Sequence, residues 1–310
     1  MHVVNYIQKL HSKWPCLILL GVLILFSVNY FILKDGVLLS QNFPLNNESD
    51  FPGTFSKNIP NKFVKVFKSL ELRGISKARL SCGAKLIPIF VYFNLDKISR
   101  SILFKNTWNE KKIQSIVKFA EDLDFHFIDI GCGIGTFTLS MACRGYDVIA
   151  VDANIYSLKR LAYSIKVNNF EKNVVVLHNV ISDSYFIYGL KVENENFGGV
   201  KLTKLKKYES NSVRGIRFDD IIPFLKHKNV VIKISIDGGE IEAFRKAKNL
   251  FANFNVLAVF MDWSIISKSH KSQEIIKLFR SHHLYPFTLA GDKLEIFFGA
   301  QWPADIVWKF

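Results

Sequence analysis

From residue 124 onward the chain repeats one pattern, a short apolar run followed by an amphipathic stretch of helical length. The apolar runs cover residues 125–130, 148–151, 174–177, 230–236 and 256–260, and the segments 136–144, 154–168, 240–250 and 272–281 carry apolar residues at helical spacing. A strand buried on both faces reads as a continuous apolar run, because neither face is left to water. Such strands alternating with helices fold into a parallel sheet covered on both sides. The expected class is therefore α/β, with a Rossmann-like, mostly parallel, doubly wound sheet. Residues 284–289 and 294–298, joined through Ala290-Gly291-Asp292, read as a C-terminal antiparallel hairpin. Residues 62–72 and 109–123 have helical periodicity, so 60–123 reads as a helical lead-in to a core over 124–310.

The first turn of this pattern holds the chemistry. Asp129-Ile130-Gly131-Cys132-Gly133-Ile134-Gly135 leaves a strand and opens a helix. Glycine there lets the backbone turn sharply and lets a ligand approach N–H groups at a helix N-terminus, although steric need alone can explain glycines in such a turn. Asp152 adds a second element, because it ends the next strand, where an acid hydrogen-bonds ribose hydroxyls. Asn154 lies two residues on, and Asn179 and Asp183 follow the third strand, placed for a purine amine but equally suited to turns. The spacing Gly-x-Gly-x-Gly, with Asp129 two residues before it, suits a cofactor with an amino-acid end and no pyrophosphate. S-adenosylmethionine meets that description, with Asp129, Gly131, Gly133, Gly135, Asp152, Asn154, Asn179 and Asp183 as candidate contacts; a nicotinamide dinucleotide is the alternative. A hairpin ending a parallel sheet favours the first, since methyltransferases of this class have it and dinucleotide dehydrogenases lack it. Cys132, inside the turn, reads as a small packing residue.

Five ordered segments resemble FkbM-type methyltransferases. They are Phe127-Ile128-Asp129-Ile130-Gly131-Cys132-Gly133-Ile134-Gly135, Ala150-Val151-Asp152-Ala153-Asn154, Asn196-Phe197-Gly198-Gly199, Phe218-Asp219-Asp220 and Lys233-Ile234-Ser235-Ile236-Asp237-Gly238-Gly239-Glu240. The resemblance covers about residues 90–300 and is nearest to membrane-anchored invertebrate members, which share endings like Val259-Phe260-Met261-Asp262-Trp263 and Trp302-Pro303-Ala304-Asp305-Ile306-Val307-Trp308-Lys309. It implies S-adenosylmethionine-dependent methyl transfer, usually to a hydroxyl oxygen of a sugar or small natural product. The family pattern has Asp where Ser235 stands and Glu where Asp237 stands, so one carboxylate is lost and one is shortened.

A hydroxyl that attacks a methyl group must give up its proton, so a base within hydrogen-bond reach is required. Asp237 and Glu240 are the candidate catalytic carboxylates, with Lys233 as their electrostatic partner. Glu240 also reads as a first-turn acid favoured by the helix dipole, and Lys233 as a strand-end lysine that snorkels. Two other readings stay open. One, motivated by Ser235, is an inactive relative that binds a glycan or protein partner through the same cleft. The other is a basic RNA methyltransferase, motivated by a net charge of +14.

The N-terminal third carries a different message. Residues 17–33 hold no charge and, counted from Trp14, approach the roughly 20 residues a helix needs to cross hydrocarbon. Lys9 and Lys13 precede this run and Lys34 is offset by Asp35, which keeps the N-terminus cytosolic and predicts a single-pass type II protein in the Golgi or endoplasmic reticulum. Residues 1–14 then form a cytosolic tail, 15–33 the membrane anchor, and 34–59 a stem with the sequon Asn47-Glu48-Ser49. No small-x-small cleavage site follows the apolar run, which argues against a removed signal peptide. Removing Lys9, Lys13 and Lys34 from the net charge of +14 leaves +11, so the excess belongs to the folded part. Lys204, Lys206 and Lys207 form the densest basic cluster and read as a solvated loop, and 191–215 reads as either an acceptor-recognition loop or a plain insertion. Nucleic acid is not the expected partner, because no basic block interleaved with aromatics is present. Outside the anchor stand Cys82, Cys132 and Cys143, which allow at most one bridge. No histidine or cysteine spacing suits a metal, and His282-His283 reads as a surface pair.

Overall fold

The computed structural model describes residues 31–33, 36–39, 75–93, 96–120, 123–193, 196–207, 209 and 212–310. The core strands are β5 (His126–Ile130), β6 (Asp147–Asp152), β7 (Val174–His178), β12 (Asn229–Ile234), β13 (Asn255–Asp262), β14 (Tyr285–Thr288) and β15 (Asp305–Lys309). They lie in the order β7-β6-β5-β12-β13-β15-β14, extended beyond β7 by the short strands β2 (Gly36–Leu39) and β1 (Phe31–Leu33). From β7 to β13 all pairings are parallel, whereas β15 runs antiparallel to both β13 and β14. The chain reverses its direction of travel across the sheet between β5 and β12, and the C-terminal ends of those strands are where a doubly wound sheet of this order takes its ligands.

Alternation of side chains along the strands sends two sets of apolar residues to opposite faces. Phe127, Val148, Ala150, Val176, Val231 and Phe260 point to one core, and Ile128, Ile149, Leu177, Ile232, Ile234 and Met261 to the other. The first core is covered by α1 (Lys97–Lys105), α2 (Glu110–Ala120), α3 (Thr136–Ala142) and α4 (Ile155–Asn168). The second is covered by α5 (Glu240–Phe244), α6 (Lys248–Asn253) and α7 (Lys271–Ser281), with Trp263, Trp302 and Trp308 packed together beneath them. Asn154 caps α4, its side-chain oxygen accepting from Tyr156 N at 3.0 Å.

Several expectations are corrected. Residues 75–92, within the expected helical lead-in, form an antiparallel hairpin of β3 (Ile75–Cys82) and β4 (Lys85–Tyr92). Its outward residues Lys77, Arg79 and Lys85 are exposed and its inward residues Leu80, Ile87, Ile89 and Val91 are buried, so the two-residue period was present but was outweighed by the helical neighbours. The C-terminal hairpin has β15 as its second arm; the expected arm at 294–298 runs instead into a 3-10 helix over Ile296–Gln301. The expected single helix over 240–250 divides into α5 and α6. The 191–215 segment belongs to a four-stranded sheet ordered β10-β9-β11-β8, with β8 (Val180–Ile181), β9 (Ile187–Glu193), β10 (Asn196–Leu205) and β11 (Ser212–Ile216). Lys204 therefore stands on a strand rather than a loop. Residues 31–33, the end of the expected anchor, pair as strand β1; the rest of the anchor, the stem, its sequon and the 62–72 helix lie outside the described residues. Among the described residues no helix is long and apolar enough to cross a membrane.

Cys82 at the end of β3 is bonded to Cys143, which follows α3, leaving Cys132 as the free thiol among the described residues. The bridge ties the hairpin to the helix that leaves the glycine turn. With a sequence separation of 61, loop-closure entropy assigns it about 4 kcal/mol. Replacing both cysteines by serine should lower the melting temperature by about 8–16 °C in a thermal scan. A shift under about 2 °C would show that packing of the hairpin on α4 holds it without the bridge.

Candidate active site

The glycine turn is built from below by a buried charge pair. Asp129 and Lys233 stand side by side on β5 and β12, and the lysine Nζ lies 3.1 Å from the carboxylate. Lys233 Nζ also donates to the carbonyls of Gly131 at 2.7 Å and Ile130 at 3.3 Å. The other Asp129 oxygen accepts from Thr138 N at 3.1 Å and Thr138 Oγ1 at 2.7 Å, fixing the first turn of α3. Asp129 and Lys233 are both buried, so these contacts replace their hydration.

The three glycines have separate reasons. A Cβ on Gly131 would stand 2.0 Å from the Ser235 carbonyl oxygen, and Gly135 has φ +91° with Leu161 Cδ1 2.3 Å from where a Cβ would stand, so backbone packing at the first and backbone conformation at the second demand glycine. Gly133 has φ +55° and meets nothing within 4 Å, so the space above its backbone is open to a ligand. Asp152 closes the arrangement. Its carboxylate accepts from Gly133 N at 2.8 Å and Asn154 N at 2.7 Å, and burial pushes it up to about 6 against the pull of those two N–H groups. Burial likewise pushes the Cys132 thiol up, which makes it a packing group rather than a nucleophile.

One wall beside Asp152 was not expected. Tyr92, the last residue of β4, bonds Ser157 on α4 at 2.9 Å, and the Arg160 guanidinium stacks 3.5 Å over its ring. Burial raises the Tyr92 hydroxyl, opposed by Ser157 and Arg160, and the nearby Asp152 charge raises it further. No local motif marks this tyrosine; only the hairpin assignment would have brought it to the site.

The edge formed by the ends of β12 and β13 carries the other carboxylates. Asp237 is exposed and takes a left-handed φ of +55° in the turn after β12. Asp262 ends β13 half-buried, its Oδ1 accepting from Ser264 N at 3.0 Å and Ser264 Oγ at 2.5 Å. It stands in register opposite Asp305, which is paired with the buried Lys112. Behind this edge Lys271 bonds the Gly238 carbonyl at 3.2 Å and Glu242 at 2.6 Å, tying the turn to α7.

Several candidate residues are held in internal contacts. Lys233 and Asp129 form a buried pair under the turn. Glu240 is buried, and its Oε1 accepts from Ile236 N at 3.0 Å; burial raises its carboxyl, opposed by backbone N–H groups of the same turn. It shapes the turn and does not reach the open edge. Asn154 is a helix cap. Asn179, also buried, donates to the Arg214 carbonyl at 3.2 Å and joins β11 to the end of β7. Asp183 is held by Ser184 at 2.9 Å and Arg245 at 3.3 Å, which draw its carboxyl below the usual range against burial. Gly133, Asp152 and Asp237 are the candidates left on open backbone or half-buried to exposed positions.

Counting the seven core strands in chain order gives 3-2-1-4-5-7-6 with the seventh antiparallel. A glycine turn follows the first and an acid ends the second. That combination is the Rossmann-like fold of class I methyltransferases. A family model described as tellurite resistance protein TehB matches residues 98–193, the segment that contains the glycine turn and Asp152. No curated protein sequence matches the chain. Similar solved structures include an rRNA methylase from Streptococcus thermophilus, 10% identical over 63% of this chain and 92% of that one, TM-score 0.36. Magnesium protoporphyrin IX methyltransferase from Synechocystis PCC 6803 with bound SAM is 11% identical over 70% of this chain and 85% of that one, TM-score 0.40. The methyltransferase domain of a bacterial CtHen1 is 13% identical over 65% and 99%, TM-score 0.38.

Proposed function

We propose that the chain is an S-adenosylmethionine-dependent O-methyltransferase acting on a hydroxyl of a glycan or small molecule, of the membrane-anchored FkbM type. The observation that carries this reading is the approach of Asp152 to Gly133 N at 2.8 Å beside open space above that glycine. An ionised carboxylate there takes up a ribose diol, and the freed N–H groups of the turn face the ligand. When bound, S-adenosylmethionine supplies a sulfonium methyl whose carbon is taken by the acceptor oxygen as its bond to sulfur breaks. Asp237, at the exposed end of β12, takes the acceptor's proton, and Asp262 on the neighbouring strand orients the hydroxyl. Lys233 and Asp129 hold the turn rigid, and Tyr92 with Arg160 fills the side of the cleft.

The apolar run ahead of strand β1 anchors the protein in type II orientation, with the catalytic domain in the lumen of the Golgi or endoplasmic reticulum. The Cys82–Cys143 bridge supports an oxidising compartment. The test is mass spectrometry of glycans from cells with and without the protein. Hexoses one methylene heavier, present only with the protein and lost in an Asp237→Asn variant, are expected; identical glycan profiles would remove the glycan reading.

The Asp152 carboxyl gives the site a pH signature. Its proton leaves at about 6 in the folded chain, so below that pH the ribose acceptor is neutralised and cofactor affinity should fall about tenfold per pH unit. The sign for folding is opposite. A carboxyl raised in the native state binds protons there before the unfolded chain does, so its contribution favours folding more as pH drops from about 6 toward 4. Titrating S-adenosylhomocysteine between pH 5 and 8 checks this, and a flat affinity across pH 6 would remove Asp152 as the ribose acceptor.

A further inference from the structure

The sheet face that buries the Asp129–Lys233 pair carries a second lysine–aspartate pair nearer the open edge. Ala258 and Phe260 on β13 and Val307 on β15 point into the first core, and the two-residue step along each strand brings Asp262 and Asp305 to the same face. These two stand directly opposite each other in the antiparallel register. Lys112 reaches them from α2, which covers that face; it is only 3% exposed, and its ammonium meets Asp305 Oδ1. Ile234 is paired with Met261, so Asp262 comes level with Ser235, where the chain enters the turn that carries Asp237.

Aspartates facing each other across a strand pair repel. A buried ion pair is also a poor source of stability, since apolar residues of the same volume often hold a fold as well. The pair makes sense through Asp262. Ser264 N and Oγ hold its Oδ1, and its Oδ2 makes no bond among the described residues. With the Asp305 charge taken up by Lys112, that oxygen can stay aimed past the strand end; without the lysine, the two carboxylates would turn apart. We propose that Lys112 is a positioning residue for methyl transfer, holding Asp305 so that Asp262 presents its unbonded oxygen to the acceptor hydroxyl. This deepens the proposed function and rests on the role given there to Asp262.

The experiment follows methyl transfer by the full chain in detergent, from S-adenosylmethionine to glycans released from cells that lack the protein. S-adenosylhomocysteine binding and a thermal melt are measured on each preparation. Lys112→Met should lower the rate at least about tenfold, as a misplaced reacting group does, while S-adenosylhomocysteine affinity stays within about twofold of wild type. Asp262→Asn should lower the rate at least as far, and adding Lys112→Met to it should cost less than about twofold more, because the lysine acts through a carboxylate already gone. A lysine that only held the fold together would cost the same in both backgrounds. That result overturns the proposal, as does a Lys112→Met rate close to that of wild type. Should Lys112→Met melt below the assay temperature, the double variant Lys112→Met, Asp305→Asn is read in its place. With no charge left opposite Asp262 it should keep at least about a third of the wild-type rate, and a rate as low as that of Asp262→Asn overturns the proposal. A wild-type chain that binds S-adenosylhomocysteine yet methylates none of the glycans would sink the glycan reading itself, and this inference with it.

Discussion

Replacing Asp152 by alanine leaves a folded protein that binds S-adenosylhomocysteine about a hundredfold more weakly than wild type. In the proposed function the carboxylate accepts from two ribose hydroxyls, and losing charge-assisted hydrogen bonds of that kind costs about 3 kcal/mol, or about a hundredfold in affinity. The fold should tolerate the change, because Gly133 N and Asn154 N, the two donors it releases, sit where residue 152 is only half-buried and water can replace it. An Asp152→Asn variant keeps the shape and one acceptor oxygen, so its affinity should fall between the two. Calorimetry with matched thermal melts separates binding from folding. Equal affinity in all three proteins would place the ribose elsewhere.

The second large effect is on stability. Lys233→Met removes the partner of Asp129 and strands a fully buried carboxylate, a change that costs about 3–5 kcal/mol. It also frees the carbonyls of Ile130 and Gly131, so the turn should bind cofactor less well even where the protein remains folded. Adding Asp129→Asn should return part of the lost stability, since a neutral amide no longer needs the lysine and still accepts from Thr138. Urea titration of the two single variants and the double variant measures this coupling. Strict additivity would show that the two side chains act independently, which their 3.1 Å separation does not allow.

The sheet was legible because its strands are buried on both faces, so their apolar runs are unbroken and the helices between them keep their own period. Glycine turn and acid were legible for the same reason: each follows a strand end that the pattern marks. The hairpin before the core was not. Its alternation, from Ile75 to Tyr92, is broken by Pro88 and ends on exposed Phe93 beside two true helices. Chemistry was harder to read than architecture. Lys233 and Glu240 sit in a segment where charged residues look like site residues, yet the fold seals both. Whether a carboxylate faces water or a neighbouring backbone amide depends on the packing of α5 and the turn before it, and sequence spacing holds no record of that. Lys204, Lys206 and Lys207 were visible as a cluster, but the strand pairing that sets Lys201 opposite Lys191 arises only on folding.

The central claim is that the turn from Gly131 to Gly135, closed by Asp152, holds an S-adenosyl ligand. Equilibrium dialysis of radiolabelled S-adenosylhomocysteine against the full chain at pH 8 tests it most directly. Saturable uptake at a single site, competed by unlabelled S-adenosylmethionine and untouched by excess NAD, is the predicted result. Uptake that never saturates, or that NAD displaces as readily, would contradict it.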